Sequence, residues 1–134
     1  MKGQSSIELV TYLAIGILIT ILFLLVLQPY ERDIITERKA ILAKEMLWRV
    51  TAELNGAASV GDGYSRLFTL PNSLSDGTNY SIRIDSEYQV VQIFWGDSEG
   101  AYGLPIATSN VTGSFVIGVN RITNSDGLIT VEAA

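Results

Sequence analysis

Residues 2–27 read KGQSSIELVTYLAIGILITILFLLVL, and this stretch decides the fold. Between residues 9 and 27 it has no charged residue, and only Thr11 and Thr20 are clearly polar. A helix of about 19 such residues is roughly 29 Å long, which is enough to cross the hydrocarbon core of a membrane. The segment therefore predicts a membrane-spanning helix near the N-terminus.

Three interpretations of this apolar run compete. A secretory signal has a shorter apolar core and a small-residue cleavage site, whereas here the run ends at Gln28-Pro29-Tyr30-Glu31 without such a site. A permanent anchor explains the length of the run but not Glu8, because a carboxylate there must stay at the membrane interface or find a partner. Glu8 can also be an interfacial residue of no consequence. The third interpretation is a stem that packs on other copies of itself.

The residues before the run favour the third interpretation. Lys2-Gly3 is followed by Gln4-Ser5-Ser6-Ile7-Glu8, in which Gln4, Ser6 and Glu8 fit the pattern Gln-x-Ser-x-Glu. The pattern resembles the class III prepilin signal of archaeal type IV pilins, which a membrane peptidase cuts just before the glutamine. The resemblance implies a leader of residues 1–3, cleavage between Gly3 and Gln4, and Glu8 as the fifth residue of the mature chain. The chain departs from the family pattern at Tyr12, where the family prefers leucine.

The resemblance also implies partners and a location. A prepilin peptidase would process the chain in the cytoplasmic membrane, and a pilus assembly ATPase and platform protein would polymerise it into an extracellular adhesion filament, a helical homopolymer. Glu8 would set the register between subunits by pairing with a neighbour's α-amine, since an unpaired buried carboxylate is costly. Gln4 can cyclise as an N-terminal residue, and Glu8 would then need another donor.

Residues 29–55 predict an amphipathic continuation of the hydrophobic helix of residues 4–28. Pro29 normally ends or kinks a helix, but the following residues are good helix formers. Apolar residues recur there at intervals of four, three and four, namely Ala43, Leu47, Val50 and Leu54. Asn55-Gly56 supplies a stop signal. This stripe can pack on a sheet of the same chain, whereas residues 4–28 must be covered by lipid or by other copies.

Residues 56–134 predict a β-rich headgroup that begins with a loop over residues 56–63. Strand-like segments follow at residues 66–70, 80–85, 88–95, 114–119, 121–123 and 128–131, with turns at residues 85–87 and 96–100 and a terminal hairpin at residues 124–127. The fold class is therefore α+β: a long N-terminal hydrophobic helix followed by a small antiparallel β-sheet domain. Residues 104–115 also resemble the C-terminal domains that accompany class III signals.

Composition excludes several kinds of chemistry. The net charge of −5 argues against a nucleic-acid partner. The absence of cysteine and histidine removes disulfides, thiolate nucleophiles, the usual zinc sites and serine–histidine–aspartate triads. The acidic loop 97–99 lacks the ligand spacing of a calcium site. We expect no enzymatic activity, no cofactor and no metal.

Other residues are candidates for modification or contact. Asn79-Tyr80-Ser81 and Asn110-Val111-Thr112 are glycosylation sequons. Trp48, Trp95 and Phe115 are predicted to be core or subunit-contact residues.

The leading hypothesis is a structural subunit of an archaeal type IV adhesion pilus. The alternatives are a monomeric membrane-anchored extracellular binding domain with a pilin-like signal, and a minor pilin. The hypothesis of an archaellin is less favoured, because the Gln-x-Ser-x-Glu signal belongs to the pilin group.

Overall fold

The computed structural model describes the backbone of residues 2–134 and the side chains of residues 5–27 and 33–134. Over residues 2–134 one helix precedes seven strands: α1 Lys2–Val60, β1 Ser65–Leu70, β2 Tyr80–Asp85, β3 Val90–Trp95, β4 Gly100–Pro105, β5 Val111–Gly113, β6 Gly118–Ser125 and β7 Leu128–Ala133. The chain divides into two compact units, Met1–Glu37 and Arg38–Ala134. We call the second the globular unit. The α+β class predicted from the sequence is confirmed.

The strands of the globular unit form two sheets. The four-stranded sheet has the order β1-β6-β7-β5, and the three-stranded sheet has the order β2-β3-β4. All pairs are antiparallel except β5 with β7, which run parallel. The Ser86 hydroxyl donates to the Val111 backbone oxygen (2.7 Å) and so links the two sheets. The antiparallel prediction therefore holds for most of the pairing, and the structure adds one parallel pair.

The core of the globular unit lies between the helix and both sheets. The predicted stripe of Ala43, Leu47, Val50 and Leu54 is buried there. It meets inward-facing strand residues, including Ile82, Ile93, Leu104, Ile122, Ile129 and Val131. Each fully buried leucine, isoleucine or valine side chain stabilises the fold by about 1.5–3 kcal/mol. The predicted packing of the stripe on strands of the same chain is confirmed.

Polar contacts tie the helix to the outer strand of each sheet. On one side, Arg66 of β1 pairs with Glu53 of α1 (3.3 Å), and the Tyr64 hydroxyl donates to the same carboxylate. On the other side, the Lys44 ammonium lies 5.0 Å from the ring centroid of Tyr102 in β4. Each sheet therefore contacts a different side of the helix through its outer strand.

The predicted helix stop at Asn55-Gly56 is wrong, because α1 continues to Val60. The predicted loop over residues 56–63 is therefore confirmed only for residues 61–63. Ala57 is fully buried, and its carbonyl accepts a hydrogen bond from Asn124 Nδ2 (2.9 Å). Tertiary contacts thus extend the helix by about a turn beyond Gly56. The helix ends instead at Gly61, which has φ +83° and donates its N–H to the Ala57 carbonyl (3.2 Å).

The strand predictions are confirmed for β1, β2, β3 and the terminal hairpin of β6 and β7. The predicted strand 114–119 is wrong, because residues 114–117 form a loop and β6 begins at Gly118. Fully buried Asn120 explains the loop: its carboxamide accepts from the Val116 N–H (2.8 Å) and donates to the Val116 carbonyl (2.7 Å). These bonds take the place of ladder bonds. The sequence does not predict strands β4 and β5.

Candidate functional site

The segment Ser5–Leu27 of α1, which we call the apolar stem, exposes its side chains on every side. None of it is buried within the structure. By length and composition it can cross a membrane. A helix that is apolar all round is stable in water only when lipid or protein covers it. The stem is therefore a surface that needs a partner.

The two threonines of the stem do not need water. Thr11 Oγ1 donates to the Ile7 carbonyl and Thr20 Oγ1 donates to the Gly16 carbonyl, each at 2.9 Å. Hydroxyls bonded to the preceding turn of their own helix are satisfied in an apolar environment. The stem can therefore be surrounded by hydrocarbon without leaving either hydroxyl unpaired.

Gly16 lies in a shallow exposed groove lined by residues that include Tyr12, Ile17 and Thr20. A Cβ added at Gly16 would meet nothing within 4 Å. Packing within the chain therefore does not require this glycine, although a glycine on a helix surface lets a second helix approach closely.

Glu8 lies one residue before the uncharged run, exposed on the helix surface. No described cation forms an ion pair with it. Ser6 of the motif is exposed as well. The exposure of Gly3 and the side chain of Gln4 lie outside what the structure describes, so the cleavage site between them stays a prediction.

The two sequons differ in how the asparagine is held. Asn79 is exposed immediately before β2, its backbone carbonyl accepts the Gly96 N–H (3.1 Å), and its carboxamide has no hydrogen-bond partner among the described residues. Asn110 is also exposed, but its Nδ2 donates to the Gly127 carbonyl (3.0 Å). A glycan on Nδ2 leaves one N–H for that bond. Both sequons are sterically accessible.

The titratable side chains of the globular unit take part in contacts of the fold. No group of three or more acidic residues among the described ones is arranged to hold a metal ion. The backbone N–H of Thr78 lowers the pKa of Asp76, as expected for a carboxylate in a tight turn. Burial, followed by the hydrogen bond to Glu53, raises the pKa of Tyr64. Both shifts arise from contacts that hold the fold together.

The aromatic residues separate into two groups. Trp95 and Phe115 are buried, and the Phe115 ring packs edge-on against Phe68 with 6.2 Å between centroids. Trp48 is 61% exposed on α1. The sequence left core and subunit contact open for all three, and the structure places only Trp48 at the surface of the chain.

Comparison with protein-family models, curated proteins and solved structures gave no match. The architecture itself, a long apolar N-terminal helix followed by a β-sheet domain, is pilin-like.

Proposed function

We propose that this chain is a pilin, a structural and non-enzymatic subunit of an archaeal type IV adhesion pilus. It is made as a prepilin, cut between Gly3 and Gln4, and polymerised from the membrane through the apolar stem. The observation that carries the proposal is the stem itself, exposed on every side from Ser5 to Leu27 and followed by a helix whose apolar stripe is buried in its own β domain.

The stem suits both environments that the proposal requires. Lipid covers it before assembly, and the stems of other copies cover it in the filament. The internal hydrogen bonds of Thr11 and Thr20 are compatible with each. A plain membrane anchor needs only the lipid, so the stem is compatible with an anchor as well as with a pilin. Glu8 distinguishes these two functions.

Glu8 gives the filament its register in this proposal. Removing a carboxylate from water costs several kcal/mol unless it is paired. A free α-amine, created by cleavage before Gln4, is a partner that every neighbouring copy provides. If Gln4 cyclises, a donor from another part of a neighbour takes that role. In either case assembly depends on the Glu8 carboxylate, whereas a simple anchor does not.

The globular unit forms the outer layer of the filament and carries the adhesive surface. Asn79 and Asn110 are exposed there and are the proposed glycosylation sites. A glycan at either position projects from the unit without displacing a buried side chain. The prepilin peptidase, the assembly ATPase and the platform protein are the partners that this function requires.

Replacement of Glu8 tests the proposal. In a host with a pilus assembly system, Glu8→Ala and Glu8→Gln are expected to be processed but to give few or no filaments by electron microscopy. Glu37→Ala is the matched control, because Glu37 is an exposed glutamate outside the stem on the same helix, and it should assemble normally. Normal filaments from Glu8→Ala would contradict the register role.

The intact mass of the surface protein tests processing in the same cells. A mature chain that begins at Gln4, or at its cyclised form, is expected, with added glycan mass at Asn79 or Asn110. A chain that begins at Met1 would reduce the protein to a single-span anchor. A processed chain that stays monomeric in the membrane would favour the anchored binding domain.

A further inference from the structure

The globular unit has an open groove of about 200 Å³ where β2 begins and β3 ends. Its lining includes the sequon residues Asn79 and Ser81, Phe94 of β3, and Asp97 and Ser98 of the turn that follows β3. We call it the Asn79 groove. The asparagine that the proposed function glycosylates is therefore itself part of the groove wall.

The strand register places Asn79 beside Phe94 on the outer face of the three-stranded sheet. Ser81 lies directly opposite Phe94, and Ser81 is exposed and Phe94 half-buried. The Gly96 N–H donates to the Asn79 carbonyl (3.1 Å), which continues the same register by one pair. Asn79 and Phe94 are thus diagonal neighbours, roughly 7 Å apart, a separation that large groups bridge.

The Phe94 ring has one side occupied and one side free. The Arg83 guanidinium carbon lies 5.6 Å from the ring centroid, a cation–π contact. Arg83 follows Ser81 on β2, whereas Asn79 precedes it, so these two residues lie on opposite sides of the ring. Arg83 is not among the described residues that line the groove. The ring therefore presents its free side to the groove and to Asn79.

The turn between β3 and β4 supplies polar groups at the rim of the groove. Asp97 and Ser98 have φ +50° and +79°, and the Glu99 N–H donates to the Gly96 carbonyl (2.9 Å), as in a type I′ hairpin turn. Such a turn usually has glycine at its second central position, where this chain has Ser98. Both side chains are exposed, and no described cation forms an ion pair with Asp97. They can therefore bond to the hydroxyls of a ligand.

We propose that the Asn79 groove binds the first sugar of a glycan attached to Asn79. A pyranose ring has a face of C–H groups, which packs on the negative face of an aromatic ring, and hydroxyls around its edge. Phe94 suits the first, while Asp97 and Ser98 suit the second. The inference rests on the proposed function, since it requires that Asn79 is glycosylated.

The position of the attachment point identifies the occupant. A sugar on Asn79 Nδ2 is tethered at the wall of the groove, so its effective concentration there exceeds that of any free ligand of the same chemistry. The tether also removes most of the orientational freedom that a free sugar would lose on binding. An open groove that would hold a free sugar weakly is therefore sufficient for an attached one.

The two sequons are expected to differ in their effect on stability. Pairing of β2 with β3 brings Asn79 and Phe94 together, so the sugar covers the ring only in the folded chain and stabilises that state. Asn110 Nδ2 instead donates to the Gly127 carbonyl (3.0 Å), and Asn110 does not line the groove. A glycan on Asn110 therefore lacks this contact.

Chains with one sequon each test this difference. Asn110→Gln keeps only the Asn79 sequon, and Asn79→Gln keeps only the Asn110 sequon. Each full chain is purified in detergent from a host that N-glycosylates surface proteins and from one that does not, and thermal unfolding is followed by circular dichroism. Glycosylation is expected to raise the midpoint of Asn110→Gln by on the order of 4 °C and that of Asn79→Gln by less. Equal gains, or no gain at Asn79, would overturn the proposed contact.

Replacement of Phe94 tests the ring itself. Phe94→Leu, added to Asn110→Gln, keeps an apolar side chain without the flat ring and is expected to lose most of the glycan-dependent gain. Tyr88→Leu is the matched control, because Tyr88 is 73% exposed in the turn at the other end of β2 and β3, and it should retain the gain. Each variant is compared with its own unglycosylated form, so a general loss of stability cancels. An unchanged gain in Phe94→Leu would contradict the role of the ring.

The outcomes separate this inference from the pilin proposal. The intact mass of Asn110→Gln from the glycosylating host shows whether Asn79 is modified, and an unmodified Asn79 would overturn the inference while the filament test of Glu8 stands. A modified Asn79 without a gain in stability would overturn the groove contact alone. If the parent chain forms no filaments but glycosylation at Asn79 raises the midpoint, the pilin proposal fails and the groove contact is supported.

Discussion

At the scale of single residues, Gly113 is a position where the fold accepts only glycine. It has φ +92°, and a Cβ there would lie 1.9 Å from the Val131 backbone oxygen of the paired strand. The conformation alone costs a non-glycine residue on the order of 1–3 kcal/mol. Gly113→Ala is therefore expected to destabilise the globular unit by more than that amount, as measured by urea denaturation of the detergent-solubilised chain.

Gly118→Ala is the matched control for this substitution. Gly118 also has a positive φ, +107°, but a Cβ there would meet nothing within 4 Å. It should lose stability through backbone strain alone, and therefore less than Gly113→Ala. Equal losses for the two variants would mean that β5 shifts away from Val131 at little cost.

Tyr80 makes the stability of the globular unit depend on pH. Its hydroxyl donates to the Pro71 carbonyl (2.7 Å), and burial raises the pKa of Tyr80 from 10.0 to about 12. Between those values the unfolded chain loses the phenolic proton while the folded chain keeps it. The unfolded state then binds fewer protons, so the free energy of unfolding falls as the pH rises through this window.

The comparison of Tyr80→Phe with the parent isolates this effect. Urea denaturation from about pH 9 to about pH 11 should show a steeper loss of stability in the parent than in Tyr80→Phe. Tyr88→Phe, which changes an exposed tyrosine, should keep the slope of the parent. Identical slopes in all three chains would mean that Tyr80 does not retain its proton in the folded state.

At the scale of elements, the sequence predicts those whose periodicity is local. The stem is a continuous apolar run, the stripe of Ala43, Leu47, Val50 and Leu54 repeats with the helical period, and β2 alternates between inward and outward side chains. In each case the residues that must be buried together are close in the chain. These predictions are confirmed because the pattern and the fold require the same faces.

The sequence does not predict strand β4, because its glycines are needed for close packing against β3. Its sequence, Gly-Ala-Tyr-Gly-Leu-Pro, has low strand propensity. Yet a Cβ at Gly100 would lie 2.3 Å from the ring of Trp95, and one at Gly103 would lie 2.9 Å from Val90 Cγ1. Only glycine lets β4 approach β3 so closely. The need for it arises from the partner strand, which no local pattern reveals.

The candidate site likewise has features that a local sequence pattern identifies and features that depend on long-range contacts. The Gln4-x-Ser6-x-Glu8 motif and the apolar stem are contiguous in the chain, so the sequence alone identifies them. The sequence also identifies the sequons at Asn79 and Asn110, but not how each asparagine is held. The hydrogen bond from Asn110 Nδ2 to the Gly127 carbonyl joins residues 17 positions apart and follows only from the structure.

At the scale of the whole molecule, burial and exposure are divided between the two units. Every hydrophobic core residue among those with described side chains lies within Arg38–Ala134, and no side chain of Ser5–Leu27 is buried. The globular unit therefore contains what it needs to fold, and the stem contributes no described core residue. Under the proposed function, folding and assembly therefore belong to different parts of the chain.

This division predicts that residues 38–134 fold without the stem. The isolated unit is expected to stay dispersed in water without detergent and to unfold in one cooperative transition, because its core is complete. The full chain, which retains the exposed stem, should need detergent or lipid. Fluorescence from buried Trp95 and near-ultraviolet circular dichroism would follow the transition. A fragment that lacks fixed tertiary structure would show that the globular unit is stable only when the stem is covered, so that folding and assembly are coupled.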